Sequence, residues 1–321
     1  MTLSVLPLKL IWKDSEDFFP DQPRSSMPQH VLVPIDGSDH AHAGLEYCLT
    51  SFPDASLTVL YVVDPTYDHE AAVGSQTTLH EHTKERGEQV LERAARRVSD
   101  CDRDIETILR TGQPHTEILS LATGDVDHIV LGSHGESPIT KPFLGRVSEA
   151  VIRRTPVSTT IVPESTTAIR NRDLPGDVLI PVDGSAQADA ALAYALETFP
   201  DATHTVFHAL SFPFDRPRSE VEGTYLEAVV TDREEQAEEL FESATTLSDE
   251  LGSSIETETA DGLPAQSILE YAEVNACDQI VMGAHGRSLR ARLLGSVAER
   301  VARRSPRTVT LVQGDPRSRT T

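Results

Sequence analysis

The chain contains two copies of one sequence pattern, and their spacing is the size of a domain. Residues 31–59 align with residues 178–206 without a gap, and 17 of these 29 positions are identical. A later glycine landmark recurs at a similar offset, since Gly132 aligns with Gly283. This period is far longer than the roughly 20–50 residues of a solenoid repeat. The sequence therefore predicts a duplicated domain, in agreement with the two domains expected for 321 residues.

Each copy alternates strand and helix patterns. Short apolar runs in the first copy predict strands at 31–35, 57–63, 105–109, 128–131 and 157–162. The segments between these runs have helical patterns, and the second copy repeats the order. Helical crossovers between successive strands favour parallel pairing and right-handed connections. The predicted fold is therefore α/β, with two tandem three-layer α/β/α domains that each contain a five-stranded, parallel, doubly wound sheet.

The limits of the domains follow from the repeat and from local composition. We expect an N-terminal extension at 1–28, a first domain at 29–164, a linker at 165–176, a second domain at 177–313 and a C-terminal tail at 314–321. The extension has no counterpart in the second copy, and Met27 lies three residues before the first predicted strand. Two hypotheses for the extension follow: either Met27 is the biological start, or the extension is a loose arm.

The charge of the chain restricts both its partners and its surroundings. It has 28 Lys and Arg against 51 Asp and Glu, a net charge of −23, and only four of the basic residues are lysines. Such a surface cannot neutralise a row of phosphates, which argues against nucleic-acid binding. In molar salt the Debye length is about 3 Å, so the self-repulsion of a halophilic, acidic protein is screened. An ordinary acidic cytosolic protein is the alternative.

Cysteine usage and hydropathy indicate a cytoplasmic protein. The three cysteines are scattered and include no CxxC pair, so they predict neither a disulfide framework nor a zinc ribbon. No apolar run approaches the roughly 18 residues of a membrane span, so no membrane association is expected. The mildly apolar segment 3–12 has no basic residues ahead of it and no small-residue cleavage site, which excludes a typical signal peptide.

The residues that follow the first and fourth predicted strands form a candidate ligand site. Doubly wound sheets bind ligands beyond the carboxyl ends of their strands, where the winding direction reverses. Asp36 follows the first strand, and a loop from Gly132 to Gly135 follows the fourth, with a predicted helix starting near Gly145. Closely spaced glycines and a helix N-terminus suit a phosphate group, and the aspartate suits a ribose or adenine. Each motif alone is also typical of a turn followed by a helix cap.

Several motifs together resemble the universal stress protein family. They are VLVPIDGS and VLIPVDGS, a Gly-x-Pro before the third helix of each copy, and GSHG or GAHG followed by LGR or LGS. The resemblance covers about 29–164 and 177–313. It implies that the final strands of the two domains pair, so that the chain forms an intramolecular pseudo-dimer, with a further homodimer left open. It also implies an adenine nucleotide, ATP or AMP, as ligand, with Mg²⁺ as a possible companion.

The resemblance assigns roles to individual residues. Asp36 and Asp183 match the nucleotide-contacting aspartate, Val62 and Ala209 match the residue whose backbone meets adenine, and the remaining positions match phosphate contacts. The candidate nucleotide-binding residues are Asp36, Val62, Gly132, Gly135, Gly145 and Arg146 in the first copy and Asp183, Ala209, Gly283, Gly286, Gly295 and Ser296 in the second.

Both copies depart from the Gly-x2-Gly-x9-Gly-Ser/Thr pattern of ATP-binding family members. In the first copy the spacing is kept, but Arg146 replaces the Ser or Thr. In the second copy Ser296 is present, but only eight residues separate Gly286 from Gly295. Arg146 keeps its backbone N–H, and its guanidinium can reach a phosphate, whereas a deletion shifts the whole loop. The sequence therefore favours the first copy if only one binds.

Other constellations do not predict catalysis or a metal site. His80-Glu81-His82 lacks the i, i+4 spacing of a zinc protease, and His204 and His208 have no visible third ligand. GxxxxGK[ST] and GxGxxG are absent, Ser38 and Ser185 do not sit in a GxSxG elbow, and the acidic run 232–242 has the pattern of an amphipathic helix. We therefore predict no catalytic residue and no metal ligand.

The sequence predicts a stress-response module that binds an adenine nucleotide in at least one half. One alternative is a nucleotide-independent stress scaffold that acts through protein contacts. The other is a weak nucleotide hydrolase or adenylyl transferase, for which only Asp36 and Asp183 are candidate bases or metal ligands.

Overall fold

The computed structural model describes residues 27–314 except for 65–75, 100, 102, 104, 135–143, 215–217, 222 and 287–293. Ten strands alternate with helices, as the sequence predicts. The first half contains β1 (His30–Pro34), α1 (Asp39–Ser51), β2 (Ser56–Val63), α2 (Gln76–Ser99), β3 (Ile105–Thr111), α3 (Pro114–Leu121), β4 (His128–Gly132), α4 (Arg146–Ile152) and β5 (Ser158–Val162), and a helix α5 (Thr166–Arg170) follows it. The second half contains β6 (Asp177–Pro181), α6 (Ala186–Thr198), β7 (Thr203–Leu210), α7 (Arg218–Val221), α8 (Glu227–Glu250), β8 (Glu256–Asp261), α9 (Pro264–Val274), β9 (Gln279–Gly283), α10 (Ser296–Arg304) and β10 (Thr308–Val312).

All ten strands belong to one sheet, in the order β3-β2-β1-β4-β5-β10-β9-β6-β7-β8. The strands of each half pair in parallel, and the two final strands, β5 and β10, pair antiparallel with Thr160 opposite Thr310. The α/β fold with parallel five-stranded halves is thus confirmed. The pairing of the final strands agrees with the pseudo-dimer that the family resemblance implies.

Helix starts in the two copies use the same serine chemistry. The Ser38 hydroxyl accepts a hydrogen bond from the N–H of Ala41 at 3.2 Å, and Ser185 does the same for Ala188 at 3.2 Å. Such N-caps satisfy an orphan amide of the first helical turn. The buried strand β1, whose Val31, Leu32 and Val33 are fully covered, runs directly into this cap.

Where the two halves meet, equivalent residues of the two copies make equivalent contacts. The hydroxyls of Thr160 and Thr310 lie 2.7 Å apart, and the Tyr47 hydroxyl donates to Oε1 of Gln279 at 2.6 Å. The equivalent contact joins the Tyr194 hydroxyl to Nδ1 of His128 at 3.5 Å. All of these groups are buried. The interface is therefore self-complementary, as in a two-fold symmetric dimer.

A second set of contacts between the halves is ionic. Arg153, which directly follows α4, lies 2.6 Å from Glu299 of α10, and the equivalent pair, Arg303 and Glu149, lies at 3.6 Å. These side chains are partly exposed, so the pairs stabilise the fold by at most about 1 kcal/mol each and are screened by salt. The buried hydrogen-bonded core is therefore the main connection between the halves.

The predicted linker contains an ordered helix that is tied to the first half. Helix α5 packs on α1, and Ile169 is buried. Arg170 of α5 and Arg97 of α2 both bind the carboxylate of Glu46, which is itself buried in α1. Burial alone would raise the pKa of Glu46, but the hydrogen bonds from the two arginines outweigh it and lower that pKa. The linker thus forms an ion pair with a buried carboxylate of the first half.

Replacing His128 by glutamine, the residue at the equivalent position 279, should change how stability depends on pH. Burial lowers the pKa of His128 from its ordinary 6.5 to about 3. Between these values the unfolded chain binds a proton that the folded chain does not, so the stabilisation present above pH 6.5 is lost as the pH falls toward 3. In His128→Gln, the free energy of unfolding should fall less steeply on acidification, by up to about 1.4 kcal/mol per pH unit.

The measurement is urea unfolding between pH 4.5 and 7 at constant salt. His82→Gln is the control, because His82 is 70% exposed, and this variant should keep the wild-type slope. Equal slopes for His128→Gln and the wild type would contradict the assignment of a neutral, buried imidazole.

Candidate functional site

Each half has a crevice where the direction of winding reverses. In the first half β1 and β4 are neighbours, while β1 connects to β2 on one side and β4 pairs with β5 on the other. The carboxyl ends of β1 and β4 carry Asp36 and Gly132. In the second half β6 and β9 are neighbours in the same way, and their carboxyl ends carry Asp183 and Gly283. The structure thus places the predicted aspartate beside the predicted glycine loop in both halves.

The Asp-Gly-Ser segments form turns that also position the aspartate. Oδ1 of Asp36 accepts the N–H of Ser38 at 3.0 Å, and Asp183 accepts that of Ser185 at 3.0 Å. The intervening Gly37 has a φ of 91°, a backbone conformation that residues with a side chain rarely adopt. The turn-and-cap interpretation of this motif therefore describes a real local structure. It fixes one carboxylate oxygen and with it the direction of the carboxylate.

The second carboxylate oxygen of Asp183 faces the glycine loop. A Cβ added to Gly286 would lie 3.0 Å from Oδ2 of Asp183. In the first half, the Ser38 hydroxyl donates to the carbonyl of His134 at 3.4 Å, so the same turn touches the same loop. Asp36 is half-buried, whereas Asp183 is exposed. Gly135, the first-half counterpart of Gly286, lies outside the described residues.

The backbone of Val62 faces the crevice. The N–H of Ile35 donates to the carbonyl of Leu60 at 2.8 Å, and the N–H of Gly112 donates to that of Val63 at 2.9 Å. Successive residues of a parallel strand direct their peptide groups alternately to the two neighbouring strands. The peptide groups of Val62 therefore point to the same side of β2 as those of Leu60, toward β1. The pairing of β1 with β2, however, already ends at Pro34 and Leu60. The N–H and C=O of Val62 lie beyond the end of β1, on the side where Asp36 leaves the sheet.

The same geometry holds for Ala209 in the second half. The N–H of Val182 donates to the carbonyl of Phe207 at 2.8 Å, and the N–H of Gly262 donates to that of Leu210 at 2.9 Å. Ala209 thus directs its peptide groups past the end of β6. Both residues that the resemblance matched to an adenine contact offer a backbone donor and acceptor at the crevice.

The first glycine of each loop has a packing role that sequence reasoning missed. A Cβ on Gly132 would lie 2.6 Å from the backbone carbon of His40, and one on Gly283 would lie 2.9 Å from that of Gln187. These distances are far below van der Waals contact, so only glycine lets the first turn of α1 or α6 approach the end of β4 or β9. The signal available in the sequence is the small residue at the end of an apolar run.

The glycines that precede α4 and α10 bind back to the strand ends. The N–H of Gly145 donates to the carbonyl of Ser133 at 2.7 Å, and that of Gly295 donates to Ala284 at 2.8 Å. These amides are engaged within the fold, so a ligand phosphate would meet the amides of the helical turns that follow. Both helix starts lack a side-chain cap. Arg146 and Ser296, the first residues of these helices, are exposed.

One histidine, His40, distinguishes the first crevice from the second, since His134 has a counterpart in His285. The rings of His40 and His134 lie 5.6 Å apart, and Nδ1 of His134 lies 2.8 Å from the Ser133 hydroxyl. At the position of His40 the second half has Gln187, whose amide binds the carbonyl of Gly314 at 2.6 Å. Sequence reasoning missed His40, although its place four residues after Asp36, in the first turn of a predicted helix, marks it as a neighbour of the site.

The described residues contain no group of three His, Cys, Asp or Glu side chains that could hold a metal ion. A Mg²⁺ ion usually binds one or two protein carboxylates together with the phosphates of its nucleotide. The first crevice offers Asp36 for that purpose, with one oxygen already bound to the turn. The donors present therefore suit an ion that arrives with its nucleotide and not one held by the protein alone.

The other histidines singled out in the sequence have local partners. His204 lies 3.3 Å from the carbonyl of Ala195, and His208 lies 2.8 Å from that of Val182. His82 pairs with Glu85 at 3.6 Å, while the side chains of His80 and Glu81 lie outside the described residues. The acidic run 232–242 lies within α8, as predicted, with Ala237 buried. In the part of the chain that the structure describes, no helix has the length and apolarity to cross a membrane.

Comparison with known proteins gives one consistent result. The model of the universal stress protein family matches residues 27–163 and 176–313. A universal stress protein from Synechocystis is 25% identical over 301 residues, which cover 86% of this chain and 97% of that protein. One from Methanocaldococcus jannaschii is 34% identical over 138 residues, which cover 41% of this chain and 79% of that protein.

Solved structures agree at the level of the fold. The crystal structure of a universal stress protein from Archaeoglobus fulgidus has a TM-score of 0.62 and 24% sequence identity, and the match covers 91% of this chain and all (100%) of that one. Its identity is too low to carry more than the fold. Together with the two family-model matches, which span most of the chain, these relatives establish that the chain belongs to the universal stress protein family and carries the family's domain twice in tandem.

Proposed function

We propose that the crevice of the first half binds an adenine nucleotide, ATP or AMP, and that the chain is a stress-response module controlled by this ligand. The observation that carries the proposal is the direction of the Val62 peptide groups, which meet the crevice beside Asp36. A neighbouring N–H and C=O are complementary to the edge of an adenine ring, which presents both an acceptor and a donor. The carboxylate of Asp36 is then available to a ribose hydroxyl.

The phosphates would lie toward the loop after β4 and the start of α4. A protein with a net charge of −23 has few cations to spare, so backbone amides and single basic side chains must bind the anion. Arg146 is exposed at the start of α4, and His134 lies on the loop. The second crevice has Ser296 at the position of Arg146 and a loop one residue shorter, so the spacing of its glycines departs from the family pattern.

The proposed module is a binding protein and not an enzyme. The candidate bases that the sequence offers are Asp36 and Asp183, and Oδ1 of each already accepts a hydrogen bond within its turn. A general base needs a positioned, available carboxylate or imidazole near the reacting phosphate. The acidic, lysine-poor composition supports a cytoplasm of high salt as the setting. The scaffold alternative keeps the fold and predicts no ligand at all.

Asp36→Asn should abolish high-affinity ATP binding, because it removes the charged acceptor that orients the ribose. Asp183→Asn is the matched variant in the second half and should leave one bound nucleotide per chain. Isothermal titration with ATP in 2 M KCl and Mg²⁺ measures the binding of ATP to both variants.

Loss of ATP binding in Asp183→Asn but not in Asp36→Asn would assign the site to the second half. Failure of the wild-type protein to bind ATP or AMP would favour the scaffold, and phosphate release that Asp36→Asn abolishes would favour the hydrolase.

Arg146→Gln should weaken ATP binding by about tenfold and leave AMP binding nearly unchanged, because a charge-assisted hydrogen bond to an outer phosphate is worth about 1.5 kcal/mol or more. Arg154→Gln, at an exposed position just after the same helix, is the control and should bind both nucleotides as the wild type does. An equal loss for ATP and AMP in Arg146→Gln would show that the guanidinium does not distinguish the outer phosphates.

A further inference from the structure

A groove that the nucleotide proposal does not use lies in the second half, with Met27 at one side. It has a volume of about 520 Å³ and is lined by Met27, Leu196, Glu197, Pro200, Ala202, His204, Leu251, Gly252, Ser253 and Ser254. It lies at the amino-terminal end of β7, whereas Ala209 is near the opposite end of that strand. Its lining is mixed, with the apolar Pro200, Ala202 and Leu251 beside polar groups such as Glu197 and Ser253.

The repeat shows what covers the equivalent place in the first half. At an offset of 147, Met27 corresponds to Leu174 of the linker, and Ala202 corresponds to Ala55. Leu174 is 7% exposed and belongs to one buried cluster with Ala55 and Ile169. Met27 is 36% exposed. The chain that leads into β6 therefore closes the first half, while the chain that leads into β1 meets an open groove.

A substitution between the copies makes this position polar in the second half. His204 stands where the first half has Leu57, which is 2% exposed within the same buried cluster. Arg103 also closes the first-half position by donating to the carbonyl of Ala55. The groove is thus a specific feature of the second half.

The segment ahead of Met27 has the chemistry to fill this groove. Residues 1–13 read MTLSVLPLKLIWK, with seven large apolar side chains, two lysines and no acidic residue. The groove contains Glu197, and the exposed Asp201 and Glu250 flank its lining residues in sequence. Trp12 lies fifteen positions before Met27. This is about 50 Å of extended chain, which allows the segment to turn back. Half of the lysines of a protein of net charge −23 lie in these thirteen residues.

We propose that the apolar, basic segment 1–13 of the same chain docks in the groove between Met27, α6 and the turn after α8. The segment covers Pro200, Ala202 and Leu251, and its lysines lie against the acidic rim. It serves the second half as the linker serves the first. The proposal does not depend on nucleotide binding.

The chain supplies its own probe, because Trp12 is its single tryptophan. Acrylamide quenching of the full-length protein in 2 M KCl should be several-fold weaker than in the guanidinium-unfolded chain. Ala202→Arg should raise quenching toward the unfolded value, because it places a charge among the apolar lining residues. Thr203→Arg is the matched control, since the exposed Thr203 is not part of the groove and should leave quenching unchanged.

Leu8→Asp in the segment itself should give the same gain in quenching, and it tests the proposal without altering either half. Circular dichroism establishes that each variant is folded. Quenching as strong in the wild type as in the unfolded chain, or protection that survives both Ala202→Arg and Leu8→Asp, would overturn the proposal. Protection that disappears on dilution together with a dimer would assign the groove to a second copy. An intact mass that begins at Met27 in natively expressed protein would also overturn it.

Discussion

The antiparallel pairing of β5 with β10 is the contact on which the rest of the molecule depends. A strand at the edge of a sheet leaves a row of unpaired peptide groups, and each half would otherwise end in such an edge. The hydroxyls of Thr160 and Thr310 lie 2.7 Å apart across this pair. The edges that remain are β3 and β8, where exposed charges such as Glu106, Glu256 and Glu258 discourage pairing with another chain.

Covalent linkage lets positions differ that would be identical in a symmetric dimer. His128 and Gln279 both bind a tyrosine hydroxyl of the other half, but only one of them can be protonated. Glu46, whose counterpart is Ala193, binds the arginine of the linker helix and so attaches the linker to the first half. The same duplication therefore gives one half a closed surface and the other an open groove.

The sequence predicts most of the fold because its signals are local or repeated. Apolar runs place the strands, and Ser38 and Ser185 mark the helix starts correctly. Helix α5 is missed because its short polar sequence has no amphipathic pattern, and it is stabilised by a buried carboxylate, that of Glu46 in α1. Tertiary contacts of this kind leave no periodicity in the segment they order.

The candidate site shows the same limit. The aspartates and glycines can be found from motifs, and Val62 from the family resemblance. The direction of the Val62 peptide groups, however, depends on strand register, which decides toward which neighbouring strand they point. The role of Gly132 depends on how closely the backbone of His40 approaches. Both are distances between segments far apart in the chain, and a single sequence does not contain them.

The net charge of −23 connects these features. Ion pairs such as Arg153 with Glu299 are partly exposed and weaken as salt rises, whereas the buried contacts of Tyr47, Thr160 and Thr310 are neutral. Apolar burial, unlike exposed charge pairing, is not screened by KCl. The halves are therefore joined by the kind of interaction that high salt leaves intact. The proposed phosphate site would follow the same logic, because fixed peptide dipoles bind phosphate without adding to the exposed charge that the solvent must screen.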